Sequence, residues 1–202
     1  MCSSDLQISM LVEDQVKGSA AMPYIVGAII AGFVIWAVLV QRRLVAMDEN
    51  INNAMSQIGV QISSRFDALI ALLDITKGYA AEESQILIDA IKPHRSVITA
   101  QSTPDDVVAQ EGVISEALDR VTMIVEQYPE LKTNKNYVKY MNAVDSYEKM
   151  MRTSRLIYND SVSKFNRELR MFPTSLLGRM FGFSQRKYME TAQEKIDMPS
   201  AE

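Results

Sequence analysis

Residues 136–172 read NYVKYMNAVDSYEKMMRTSRLIYNDSVSKFNRELRMF, and their periodicity decides the fold. Apolar side chains step by four and three through Tyr137, Met141, Val144, Met151, Tyr158, Val162, Phe165, Leu169 and Phe172. That spacing holds one stripe on one side of an α-helix, the seam of a helical bundle. Two positions of the same series are charged, Glu148 and Arg155. Pro173 closes the pattern, because proline has no N–H to carry a helix onward.

Three further helical patterns precede this one, with no strand-like alternation between them. The first runs from Leu44 to Lys77 and is stopped by Gly78, a residue favoured just past a helix end. Its seam is Leu44, Ile51, Met55, Ile58, Ile62, Leu69 and Leu72. The second covers Ala81 to Gln101 with an expected kink at Pro93. Ser102-Thr103-Pro104-Asp105 reads as a cap and first turn. The third then spans Asp105 to Gln127, with Val107, Ile114, Leu118, Val121 and Val125 inward, and Tyr128-Pro129 ends it. Short links between long helices favour antiparallel neighbours. The expected fold is all-α, an up-down-up-down four-helix bundle over residues 42–172.

Residues 24–40 are uninterruptedly apolar or small. With their flanks they form a stretch, 21–41, of the roughly 20 residues that cross a bilayer as a helix. A cleaved signal would have a basic start, a shorter apolar core and a small-residue site after it. Here the start is acidic and Gln41-Arg42-Arg43 follows, so a retained single-pass anchor is expected. Arg42 and Arg43 place the bundle in the cytoplasm and the short exposed terminus, residues 1–20, outside. No breaker separates anchor from bundle, which allows one continuous helix. Gly27 with Ala31, and Ala28 with Gly32, permit close helix packing in lipid and so a homo-oligomer.

Of 202 residues, 48% are hydrophobic and 23% charged, which are globular values. A net charge of −4 gives no footprint for nucleic acid. The single cysteine, Cys2, allows no internal disulfide and no cysteine zinc site. No phosphate loop, His-Glu-x-x-His pattern or nucleophile elbow is present. The lone His94 has no neighbouring ligand set and reads as a surface residue. Neither enzymatic activity, nor a cofactor, nor a metal is expected. The 13 methionines read as core filling at Met55, Met141 and Met151, or as an adaptable partner surface at Met150, Met171, Met180 and Met189.

The polar members of the seams form a layer. If the first and fourth helices are antiparallel, Arg65 and Glu148 are equally far from their shared end and lie side by side. Arg155 then falls level with Ile58, in reach of Gln57 and Gln61, and Asn159 near Asn53. One reading is that this layer sets register and helix order. The other is a ligand or proton-relay site in the core.

Beyond Phe172, residues 173–190 contain Thr174-Ser175-Leu176-Leu177-Gly178-Arg179-Met180-Phe181-Gly182-Phe183 and then Arg186 and Lys187. A short helix capped at Thr174 or Ser175 would gather Leu176, Leu177, Met180 and Phe181 on one face. Basic groups around apolar and aromatic side chains suit an anionic lipid surface. Alternatively Phe172, Phe181 and Phe183 fold back and seal the end of the bundle. Residues 191–202 read as a frayed tail.

The residues resemble the LemA proteins of bacteria and some archaea. The likeness runs through Asn53-Ala54-Met55-Ser56-Gln57-Ile58-Gly59-Val60-Gln61, Arg65-Phe66-Asp67 and Lys77-Gly78-Tyr79. It resumes at Tyr128-Pro129-Glu130-Leu131-Lys132, Asn134, Glu148, Arg155 and Tyr158-Asn159, and closes with Phe165-Asn166, Phe172-Pro173 and Phe181-Gly182-Phe183. The family usually has Trp at Met55, Asp at Gly59 and Pro-Asn at Ile70-Ala71, so roles resting on those side chains do not carry over. The resemblance implies an N-terminal membrane helix, an antiparallel helical bundle and an outside N-terminus, with no established molecular task. The resulting expectation is a non-catalytic scaffold or modulator acting by protein–protein contact at the membrane. Lipid sensing through residues 173–190 is the alternative, and a small-ligand receptor using the polar layer is a third.

Overall fold

The computed structural model describes the backbone of residues 4–190 and the side chains of residues 23–190. The tail at 191–202 lies outside the described residues. So do the side chains of the N-terminal 1–20 segment, whose backbone is helical from Ser4. Among the described residues all regular structure is helical. The five helices are α1 (Ser4–Thr76), α2 (Ala81–Ile91), α3 (Pro104–Gln127), α4 (Lys135–Arg170) and α5 (Thr174–Met180).

α1 is a single 73-residue helix. From Pro23 it first presents an apolar stretch that nothing in the body covers, long and apolar enough to cross a membrane. It then enters the packed body without a break. Val40 already packs on the core, and Leu44, Ile51, Met55, Ile58, Ile62, Leu69 and Leu72 are all buried. The helix ends at Thr76, whose hydroxyl bonds the Leu73 carbonyl at 2.8 Å and sits 2.7 Å from the Ser84 hydroxyl of α2. That buried pair ties the turn shut across Gly78.

α4 packs along α1 more extensively than any other pair of helices, and α3 is the next neighbour of α1. Asn134 starts α4, its Oδ1 accepting from the Asn136 and Tyr137 amides at 2.9 and 3.3 Å, which satisfies orphan donors of the first turn. Tyr137, Val144, Met151, Tyr158, Val162 and Phe165 of its seam are buried. Ion pairs record the run of the two helices. Arg43 meets Glu168 at 2.7 Å, and further along α1 Arg65 meets Glu148 at 3.1 Å, so the partner recedes along α4 as α1 advances.

Two boundaries differ from the sequence expectation. α2 stops at Ile91 instead of kinking at Pro93; a single 3-10 turn, Lys92–His94, follows, and the chain then runs non-helical to Thr103. Pro93 offers no N–H, and Gln110 of α3 supplies what the helix would have. Its buried amide donates to the His94 carbonyl at 2.8 Å and accepts from the Ser96 N–H at 2.9 Å. Ile98 of this segment lies directly over Gly59 of α1, where an added Cβ would stand 2.3 Å from the Ile98 carbonyl oxygen. Thr103 and Asp106 then open α3 with a reciprocal capping box and Pro104 in its first turn. At the other end, α4 closes at Arg170, and Phe172 is 83% exposed, so it is not a member of the seam. Met171 has left helical geometry, with ψ 130, and Pro173 cannot restore it.

Candidate functional site

The polar layer lies between α1, α3 and α4. Arg65 Nη2 donates to Glu148 Oε2 at 3.1 Å, and Glu148 accepts a second bond from Arg152 at 2.9 Å. Arg155 is paired with Glu111 of α3, not with Gln57 or Gln61. The expectation counted only α1 and α4, whereas α3 presents a carboxylate at the same level, and a charge outcompetes an amide for a guanidinium. Gln57 and Asn53 are exposed and Gln61 half-buried, outside any core layer. Asn53 and Gln57 instead line an open α1–α4 groove of about 420 Å³ with Asn50, Ser161 and Lys164.

Burial lowers the Arg65 pKa from the ordinary arginine value, opposed by the nearby Glu148 and Asp145 charges. Burial also lowers that of Arg155, reinforced by the charge of Arg65. The Nε atoms of both arginines are buried without a partner. The layer therefore holds two crowded cations, each neutralised by one carboxylate. Among the described residues no group of three or more His, Cys, Asp or Glu side chains is gathered for a metal. His94 lines a separate cleft of about 220 Å³ beside Leu87, Ile91, Glu116 and Arg120.

The second constellation is a strap, residues 183–189, that leaves α5 and lies back along α4. Asn166 donates to the Arg186 carbonyl and accepts from the Arg186 N–H, both at 2.9 Å. One heptad away, Asn159 does the same to Met189 at 2.9 and 2.8 Å. The Tyr158 hydroxyl donates to the Lys187 carbonyl at 3.1 Å. Phe183 meets Phe165 edge-on at 6.1 Å, and the Met189 side chain is buried. The Arg186 guanidinium grips Asp48 of α1 through bonds of 2.8 to 3.1 Å, and Lys187 reaches Asp105 at 3.5 Å. Asn159 thus serves the strap and not Asn53. The signal for the strap is in the sequence, since Asn159 and Asn166 stand a heptad apart, each one residue after a member of the apolar seam. Which groups they would bond is not.

The sequence profile of the LemA family matches residues 54–202. The chain belongs to the LemA family. The match takes in both constellations except Asp48, which lies just ahead of it, and leaves the apolar stretch of α1 outside. Two curated relatives of this LemA protein are the magnetosome proteins MamQ 1 and MamQ 2 of Paramagnetospirillum magneticum strain AMB-1. Each is 30% identical over 80 residues, 40% of this chain and 29% of its own. The chain thus spans less than a third of the length of the curated relatives it matches.

At the end of the LemA region α5 divides the carboxy-terminal residues in two. Leu177 is buried and Gly178 packs close against Leu169 and near Leu44, while Phe183 packs on the core. Phe172, Leu176, Met180 and Phe181 point outward with Arg179. Arg186 and Lys187 are engaged with carboxylates of α1 and α3.

Replacing Asn159 with alanine is expected to unlatch the strap. It leaves the Met189 N–H and carbonyl unpaired at a cost of about 1–3 kcal/mol. Amide exchange at Met189 should then accelerate about tenfold or more with the α4 amides unchanged. Unaltered exchange would show that Asn166, Tyr158, Phe183 and the ion pairs hold the strap without Asn159.

Proposed function

We propose that this LemA protein is a membrane-tethered, non-catalytic scaffold: an antiparallel up-down-up-down four-helix bundle that acts by protein–protein contact at the cytoplasmic face. The carrying observation is the continuity of α1. Leu44, almost fully buried, follows Val40, the end of the apolar stretch, by about 6 Å of helix rise, so the body stands against the membrane on a stiff rod. The antiparallel arrangement is supported by the receding ion-pair partners along α4 and by the short links α1–α2 and α3–α4. Arg42 and Arg43 support the cytoplasmic side, and residues 1–20 are then outside. A protease-cleavable tag after Glu202 should be protected in intact cells, and proximity labelling from that tag should recover a reproducible set of membrane proteins. Digestion of the tag, or labelling indistinguishable from a free cytoplasmic control, would overturn the proposal.

A second reading, direct contact of α5 with lipid, is favoured by one observation. Phe172, Leu176 and Met180 are 83%, 61% and 72% exposed at the level of Leu44, where the apolar stretch emerges. Arg170 and Arg179 flank them, the composition of an interfacial segment. Trp36 is the single tryptophan, so Phe172→Trp in a Trp36→Phe background reports this site alone. Blue-shifted emission quenched by brominated acyl chains is expected in vesicles of the full chain. Water-like emission insensitive to those lipids would dispose of the contact.

A further inference from the structure

The strap is held in a way that does not depend on which chain supplies it. Asn159, Asn166 and Tyr158 bond only backbone atoms of residues 186, 187 and 189. Main-chain bonds with pockets for spaced side chains are the mode by which extended peptides are recognised. The groove completes that pattern with an aromatic seat at Phe165 for Phe183, a buried seat for Met189, and carboxylates at Asp48 and Asp105 for Arg186 and Lys187. The strap joins α5 through Gly182, whose φ of +79 is a conformation open to glycine. A different φ there would redirect everything that follows. Between these anchors, residues 184–188 are exposed, so few buried contacts oppose release.

We propose that this groove is also an intermolecular site, whose occupant is the 183–189 strap of a second copy, so that two chains dimerise by exchanging straps. The required peptide, an aromatic followed three residues on by arginine and three further by methionine, is carried by every copy. Exchange repeats the same bonds and adds no new strained contact, the ordinary low-cost route to a symmetric dimer. The inference draws on the tether proposed above in one respect: anchored copies present their grooves at one height, which a two-fold axis along the membrane normal preserves.

The test uses the full chain in vesicles, with Cys2→Ser throughout. One population carries Asp48→Cys and a second, differently tagged, carries Arg186→Cys; both positions are partly exposed and outside the core. Mild oxidation should give a disulfide dimer bearing both tags in several-fold excess over dimers bearing one tag. Absence of the mixed dimer, while a single chain with both substitutions closes its own disulfide, overturns exchange. A charge-swapped pair gives an independent reading. Asp48→Arg and Arg186→Asp chains each face like charges alone, yet complement each other in both directions when mixed. They should dimerise only in the mixture, and a mixture that stays monomeric counts against the proposal equally. Chains that fail to float with the vesicles would defeat the tether instead, and the same mixtures in detergent micelles then decide exchange without it.

Discussion

Replacing Glu111 with alanine is expected to destabilise the helical body by about 3 kcal/mol, within the range for removing one member of a buried pair. The Arg155 side chain is 13% exposed and Glu111 21% exposed. Without Glu111 the guanidinium has no carboxylate and still stands near Arg65, whose charge already disfavours it. Its Nε is unpartnered even in the native chain, so no spare bond cushions the loss. The cost is therefore that of a stranded cation rather than of one lost contact. Arg155→Met combined with Glu111→Leu removes both charges and should return stability to within about 1 kcal/mol of the parent. Glu148→Ala should cost less than Glu111→Ala, because the Glu148 carboxylate is 37% exposed and water can replace it on the rim. Urea unfolding of the full chain in micelles, followed by helical ellipticity, measures the three variants against the parent. A loss for Glu111→Ala of only a few tenths of a kcal/mol, as for an exposed ion pair, would show that the layer is solvated.

Gly59→Ala should cost about 1–2 kcal/mol net, although alanine is the better helix former by roughly 1 kcal/mol. The new Cβ would lie 2.3 Å from the Ile98 carbonyl oxygen, 3.0 Å from its carbon and 3.2 Å from its Cβ. Two of those atoms are backbone, so no side-chain rotation relieves the overlap. The 95–101 segment has to lift, which uncovers buried Ile98 and strains the two Gln110 bonds at His94 and Ser96. Gly112 of α3 is the internal control, since an added Cβ there meets nothing within 4 Å. Gly112→Ala should stabilise by about 0.5–1 kcal/mol. Opposite signs at two helical glycines separate steric contact from helix propensity. Stabilisation by both would mean that the 95–101 segment does not sit on α1.

The two substitutions mark where local and tertiary causes part. Helix type and seam follow from the four-three spacing of apolar residues, so most of the inward stripe of α1 and α4 is legible in the chain alone, although Phe172 falls outside it and buried Phe66 and Leu73 widen the α1 face beyond the seam. The apolar stretch at 24–40, its basic flank and its uninterrupted passage into the first seam are equally local properties. The levels of Arg65 and Glu148 can be counted along two seams. Arg155 is different: its partner depends on a third helix, α3, whose height is set by how far the segment after α2 travels along α1. That travel depends in turn on Gln110 and on the absence of a side chain at Gly59.

The same limit explains the strap and the end of α2. Both are irregular backbone held by side-chain amides, Gln110 at His94 and Ser96, and Asn166 and Asn159 at Arg186 and Met189. An amide in a helix announces that it will bond something, but backbone partners carry no signature of their own, because every residue offers the same N–H and carbonyl. Periodicity by itself determined an all-helical chain with a long apolar leading helix and a seam to pack. Only the tertiary structure decided which carboxylate neutralises Arg155, which face α5 leaves outward, and what lies in the groove of α4. Those choices are made by groups far apart in the chain competing for the same space.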